Sequence, residues 1–190
     1  ANANANTGIS ISYESNTLTV GVNAVGVIST SAVFRDPSAW YHVVFVLDTT
    51  QATQTNRAKF YVNGVQQSFA SFTLFGTQNA QFDVNNTTGH QIGVVTGGSY
   101  FDGYMADINF IDGQALTPSS FGQYNGDTGV WSATRYTGTY GTNGFHLNFS
   151  DGTSTTTLGY DSSGNGNNWT CNNISLTAGS TYDWMIDSPM

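Results

Sequence analysis

Apolar residues in this chain recur at every second position over short stretches, and almost nowhere at the spacing of an amphipathic helix. Ile9, Ile11 and Tyr13 alternate with polar neighbours, and Leu18, Val20 and Val22 repeat the pattern beyond a turn at Asn16. Such alternation marks strands with one buried face. Trp40 to Leu47 is an aromatic and β-branched run approached through Asp36-Pro37-Ser38, where proline imposes an extended or turning backbone. Ala58 to Val62 meets Asn63-Gly64 and resumes as Val65 to Phe69. Asn-Gly favours the positive φ angles of a type I′ turn, so a hairpin is predicted there. Phe72, Leu74 and Phe82 can anchor an edge strand. Further strands are predicted over 91–95 (ending at Gly97-Gly98), 100–111, 145–149 and 169–176. Thr117-Pro118-Ser119-Ser120-Phe121 is the one helix start, with Thr as cap and Pro at the first helical position. Many short strands and one short helical turn predict an all-β fold, a two-sheet antiparallel jelly-roll β-sandwich.

Charge removes several functions. Four Lys and Arg stand against twelve Asp and Glu, a net charge of −8, and charged residues make up 8% of the chain. The cations Arg35, Arg57, Lys59 and Arg135 form no cluster, which argues against a nucleic-acid partner. The same balance argues against an anionic membrane surface. The longest apolar run, Val43–Leu47, is far shorter than the roughly 20 residues that cross a bilayer, so no membrane insertion is expected. Cys171 stands alone, without an intrachain disulfide partner. The Ala-Asn alternation to Asn6, with neither initiator Met nor secretory signal, suggests a processed chain or an excerpt. A surface of Thr, Ser, Asn and Gly suits work outside cells or on virus particles.

Four segments, in order, resemble the laminin-G-like branch of the concanavalin A-like lectin/glucanase superfamily. Trp40-Tyr41-His42-Val43-Val44 resembles its "W-H-H-V-A" strand, and Lys59-Phe60-Tyr61-Val62-Asn63-Gly64 its "L-Y-V-D-G" hairpin. Ile92-Gly93 with Phe101-Asp102-Gly103-Tyr104-Met105-Ala106-Asp107-Ile108 resembles "I-G … F-x-G-x-I-D-E-V". Leu116-Thr117-Pro118 to Tyr124 resembles the family's closing segment. The implied fold is a concanavalin A-like jelly roll with its core over residues 1–130. Residues 131–190 contain Phe145 to Ser150 and Asp161-Ser162-Ser163-Gly164-Asn165-Gly166-Asn167, which resemble the family's opening strand and loop. That segment either completes the same sandwich or begins a second one. As a whole, the string resembles laminin-G-like segments of marine tailed-phage virion proteins.

Glucanases of this fold flank the glycosidic bond with two carboxylates. Here Glu14 is the one glutamate, no acid-x-acid-x-acid run occurs, and Asp102 and Asp107 on one strand would face opposite sides. No G-x-S-x-G, H-E-x-x-H or phosphate loop occurs, so no catalytic residue is assigned. His42 reads as packed, His90 as isolated, and His146 as turned away from Phe145 and Leu147 toward solvent or an interface. Cys171 reads as inert. The resemblance implies a possible Ca²⁺, with Asp161 and Asn165 of the glycine loop and Asp107 as ligands; Asx-turns are the competing reading of that loop. Tyr100, Tyr104, Trp131, Tyr136 and Tyr140 could stack on sugars, or could pack the sandwich or a subunit interface. Asn86, Asn148, Asn168 and Asn173 open chance Asn-x-Ser/Thr triplets.

The expected function is a non-enzymatic phage virion surface protein, a tail fibre, spike or capsid decoration, that attaches to a host-surface glycan. Its expected partners are itself, as a homo-oligomer, and other virion proteins, and its expected place is the virion surface or another extracellular setting. The alternatives are a Ca²⁺-dependent carbohydrate-binding module of a larger secreted protein and a degenerate glycan hydrolase using Asp102, Asp107 or Asp112.

Overall fold

A computed structural model describes residues 9–22, 26–72, 77–85, 89–95 and 98–185. Leu74, Asn86, Gly97, the Ala-Asn alternation and Asp187-Ser188-Pro189 lie outside the described residues. The chain divides into two compact units, Ala1–Asp102 with Ala115–Arg135, and Gly103–Gln114 with Tyr136–Met190. Every strand pair described is antiparallel, so the fold is all-β as the alternation predicts.

In the first unit β1 (Ile9–Glu14) and β2 (Thr17–Val22) are joined by Ser15 and Asn16, both at positive φ (51° and 67°), as a type I′ turn requires. β3 is Gly26–Thr30, β4 Val43–Leu47, β5 Ala58–Val62, β6 Val65–Gln66 and β7 Phe69–Phe72. One sheet has the order β1-β2-β3-β7 and another β4-β5-β6. Their inner faces meet in one core: Val20 and Ile28 from the first sheet, Ala58 and Phe60 from the second, all at 0% exposure. Burying a side chain of this kind contributes about 1.5–3 kcal/mol relative to leaving it in water. Leu18, Phe45, Leu47, Phe69, Phe72 and Phe82 pack around these four. Of the chain's cations, Arg57 is buried, its guanidinium donating to the carbonyls of Gln51 (2.7 Å) and Ala52 (3.0 Å).

β8 (Val94–Val95) pairs with β9 (Ser99–Tyr100). β10 (Ile108–Phe110) belongs to the second unit, while β11 (Gly122–Tyr124) and β12 (Trp131–Ala133) form a hairpin in the first. In the second unit β10 pairs with β13 (Phe145–Leu147). A single α-turn, α1 (Thr155–Leu158), follows, and Leu147 and Leu158 are buried.

Several boundaries differ from the sequence reading. The run after Asn63-Gly64 splits: β6 stays with β5, whereas β7 crosses to pair with β3. The strand predicted over 91–95 contracts to β8. The strand predicted over 100–111 survives only at its ends, in β9 and β10; residues 101–107 form none, and Asp107 enters β10 at a left-handed φ of 50°. β13 ends before Phe149, itself at φ 52°. No strand forms over 169–176. Thr117-Pro118 starts only a 3₁₀ turn, Pro118–Ser120, and the Thr117 hydroxyl pairs with that of Ser119 (2.8 Å) instead of capping an amide. The capped helix is α1: Ser154 accepts from the Thr157 amide (3.0 Å), and Thr157 Oγ1 accepts from the Ser154 amide (3.1 Å).

Candidate functional site

The β10–β13 register sets Asn109 opposite His146. The backbone reversal at Asp107 brings that carboxylate 2.5 Å from His146 Nε2. His146 Nδ1 lies 2.9 Å from the Ser162 hydroxyl, and the imidazole is 4% exposed. His146 does face away from Phe145 and Leu147, but that side has neither of its expected settings, solvent or interface: it is covered by the chain's own 161–168 loop and Tyr140. The Tyr140 ring stacks over the imidazole (centroids 6.0 Å apart), and its hydroxyl donates to Asn109 Oδ1 at 2.8 Å.

An acid, an imidazole and a hydroxyl in a row invite comparison with a nucleophile relay. Here the His146 carbonyl draws the same hydroxyl (3.0 Å) and also accepts from the Ser162 amide (2.8 Å). Ser162 therefore ties the 161–168 loop to β13, and the arrangement reads as a structural clamp. A carboxylate facing Nε2 favours the tautomer protonated there, leaving Nδ1 to accept.

Asp161 completes the clamp. One carboxylate oxygen accepts from the amides of His146 and Ser163 (2.8 Å each); the other accepts from the Ser163 hydroxyl (2.8 Å) and the Asn167 amide (2.9 Å). Burial works to raise the pKa of Asp161, but these four donors outweigh it and hold the carboxyl below its ordinary value. Asn165 points its amide nitrogen at the carbonyls of Gly141 (2.6 Å) and Gly144 (2.9 Å), and Asn167 adds a second donor to Gly144 (2.9 Å).

This set does not fit calcium. A hard cation needs six to eight free oxygens, whereas the Asp161 oxygens are engaged by the loop's own donors and Asn165 directs nitrogen, not oxygen, at the neighbouring carbonyls. Asp107 is paired with His146. Among the described residues no group of three or more His, Cys, Asp or Glu is placed to hold a metal ion. The hydrogen bonds favour the Asx-turn reading at Asp161, whereas Asn165 ties its loop to the backbone at Gly141 and Gly144.

The five aromatic candidates are separated by burial. Tyr136 and Tyr140 are buried (8% and 9% exposed) and pack edge to face at 5.2 Å, so neither offers a face to a ligand. Trp131 is half-buried. Its ring lies so close to Gly64 and Gly122 that a Cβ on either would sit 2.4–2.5 Å from it, and Nε1 donates to His42 Nδ1 at 3.1 Å. Trp131 thereby fixes the β11–β12 hairpin against the Asn63-Gly64 turn. Tyr100 in the first unit and Tyr104 in the second are open, at 72% and 71% exposure.

Sequence reasoning missed Tyr124 as a surface ring. It is 52% exposed, edge to face with Trp131 (5.0 Å), with its hydroxyl on the Asn63 carbonyl at 3.2 Å. Its place just before Asn125-Gly126, a turn signal, was the available clue. Cys171 is half-buried, and burial pushes its thiol pKa up.

Comparison with known proteins agrees with the antiparallel fold. A laminin-G-type family model, described as the concanavalin A-like lectin/glucanases superfamily, matches residues 1–121. No curated protein and no solved structure gives a significant match. With well over half of its length matched and its described strands all antiparallel, the chain belongs to the concanavalin A-like lectin/glucanase superfamily.

Proposed function

We propose that the chain is a non-enzymatic surface module of a virion, a tail fibre, spike or capsid decoration, whose lectin-like jelly roll serves assembly and attachment to host-surface glycans. The family supports a carbohydrate-binding kind of function, and laminin-G-like domains are in general binding domains without catalysis. The observation that carries the glycan reading is Tyr100. It stands on the short strand β9 at 72% exposure beside Phe101 at 45%. Exposed rings of this size leave apolar area in water that a ligand's apolar face can cover. The C–H faces of pyranose rings are such surfaces. A chain with 8% charged residues also suits contacts made through hydroxyls and amides. The virion setting is supported by the resemblance of the whole string, including its 110–118 and 140–145 segments, to phage virion sequences, and by the low charge.

A glycan array probed with the 190-residue chain, repeated with Tyr100→Ala, tests the reading. The expected result is retention of a defined glycan class, weakened about tenfold by the substitution, equivalent to about 1.4 kcal/mol of stacking. Absence of any glycan signal, or equal binding by Tyr100→Ala, overturns it.

A further inference from the structure

We propose that the free edge of β1 is a strand-addition surface for a second copy of this chain, the two β1 strands pairing antiparallel about a two-fold axis at Ile11. The proposal deepens the assembly half of the function proposed above, and rests on three features of the sheet.

The first is backbone direction. The two-residue turn makes Glu14 and Thr17 a hydrogen-bonded pair, so Ser12 with Thr19 and Ser10 with Gly21 are the next such pairs. The amides and carbonyls of Ile9, Ile11 and Tyr13 therefore point away from β2. Among the described residues β1 is an edge, with β2 on one side only.

The second is an unfinished apolar row. Phe72, Ile28, Val20 and Ile11 are successive cross-strand partners on one face. Ile28 and Val20 are fully buried, yet the row ends at Ile11 with 52% of it exposed. Another strand laid along β1 would continue the row and cover Ile11.

The third is the lack of protection and the fit to itself. Edge strands are usually guarded by lysine, proline or a bulge. Ile9–Glu14 holds no lysine or proline, and its six pairs with β2 run in unbroken register. In an antiparallel self-pairing Ile11 meets Ile11 and Ile9 meets Tyr13, apolar against apolar. The strand's one charge, Glu14, falls at opposite ends of the two copies. On a chain of net charge −8, Ile9–Tyr13 carries no charge, so two copies can approach along it without like charges facing each other.

A single added strand makes a small interface, so association is expected to be weak and concentration-dependent. Light scattering of the 190-residue chain from about 10 µM to about 1 mM should show the weight-average mass climbing from 20.3 kDa toward twice that value. Ile11→Pro removes only an outward amide, and Ile11→Lys sets two cations against each other at the axis. Both should hold the mass at the monomer value with melting temperature and circular dichroism kept. Should the proline variant fail to fold, the lysine variant decides, since it alters a half-exposed side chain. A wild-type chain that stays monomeric throughout, or an oligomer that persists in a folded variant, overturns the proposal. The first is the result expected if another segment covers the edge, the second if copies associate through a different surface. Glycan retention by a strictly monomeric chain would overturn this proposal alone.

Discussion

Asp161 repeats a device found at three other positions. In Asp36-Pro37-Ser38, Asp48-Thr49-Thr50 and Asp151-Gly152-Thr153, as in Asp161-Ser162-Ser163, the carboxylate accepts from the amide and the hydroxyl two residues on. All four carboxyls are held below the usual aspartate value of 3.8. The hydroxyl bond leads the causes at Asp36, Asp48 and Asp151; at Asp161 burial opposes the shift but is outweighed by the hydrogen bonds. A pKa lowered on folding contributes stability that is fully present above the unfolded value and lost as pH falls through the folded one. Urea unfolding at a series of pH values should therefore show stability declining below about pH 5. Asp161→Asn should be less stable at neutral pH and decline less steeply in acid. Equal slopes for the two proteins would remove Asp161 from that account. Of these four motifs, the sequence reading had a turn at Asp36-Pro37-Ser38 and the Asx-turn alternative at Asp161, and at Asp161 the hydrogen bonds favour the turn over calcium.

Among the elements, the β5–β6 hairpin was the most legible, because Asn63-Gly64 demands its own geometry: φ is 48° and 78° at the two residues. What no local pattern disclosed is that Trp131, far along the chain, lies on Gly64. Gly64→Ala should lower stability by about 1–3 kcal/mol, from overpacking against the indole added to the strained φ. Gly93→Ala, at φ 80° but with nothing within 4 Å of the added methyl, should cost less. Thermal melts of the two variants check the order. Other elements were illegible for physical reasons. Alternation placed His146 on the face opposite Phe145 and Leu147, but it could not tell that the 161–168 loop covers that face. Residues 101–107, which read as part of a continuous strand, form none, and the chain re-enters strand geometry only past the left-handed Asp107. The Ser154 cap went unread because threonine, not the usual glutamate or glutamine, closes its capping box.

For the whole molecule, alternation and turn chemistry were enough for the fold class, since β1, β2 and β5 carry period-two signals, although β3, β11 and β12 were not read from the sequence. Beyond the hairpins, partnerships were not legible, because nothing in Ile108–Phe110 names Phe145–Leu147 as its mate. Of the candidate site residues, exposure separated Tyr100 and Tyr104 from Tyr136 and Tyr140, a distinction that glycine-rich surroundings could not make. The calcium question is also one for the whole molecule. Adding calcium or a chelator should leave the melting temperature within about 1 °C, because a ligand that does not bind the native state cannot shift it. A rise of several degrees with calcium would return Asp161, Asn165 and Asp107 to the role of ligands.

The β10–β13 pairing also sets an order of events at the ribosome. Residues Gly103–Gln114 emerge well before Tyr136–Met190, the rest of their unit, so Ile108, Asn109 and Phe110 must wait for Phe145–Leu147 to be synthesised. Translation adds about 5–20 residues per second. For a second or more the nascent chain therefore displays an apolar strand with no mate, a natural landing place for a chaperone or for the same strand on a neighbouring nascent chain.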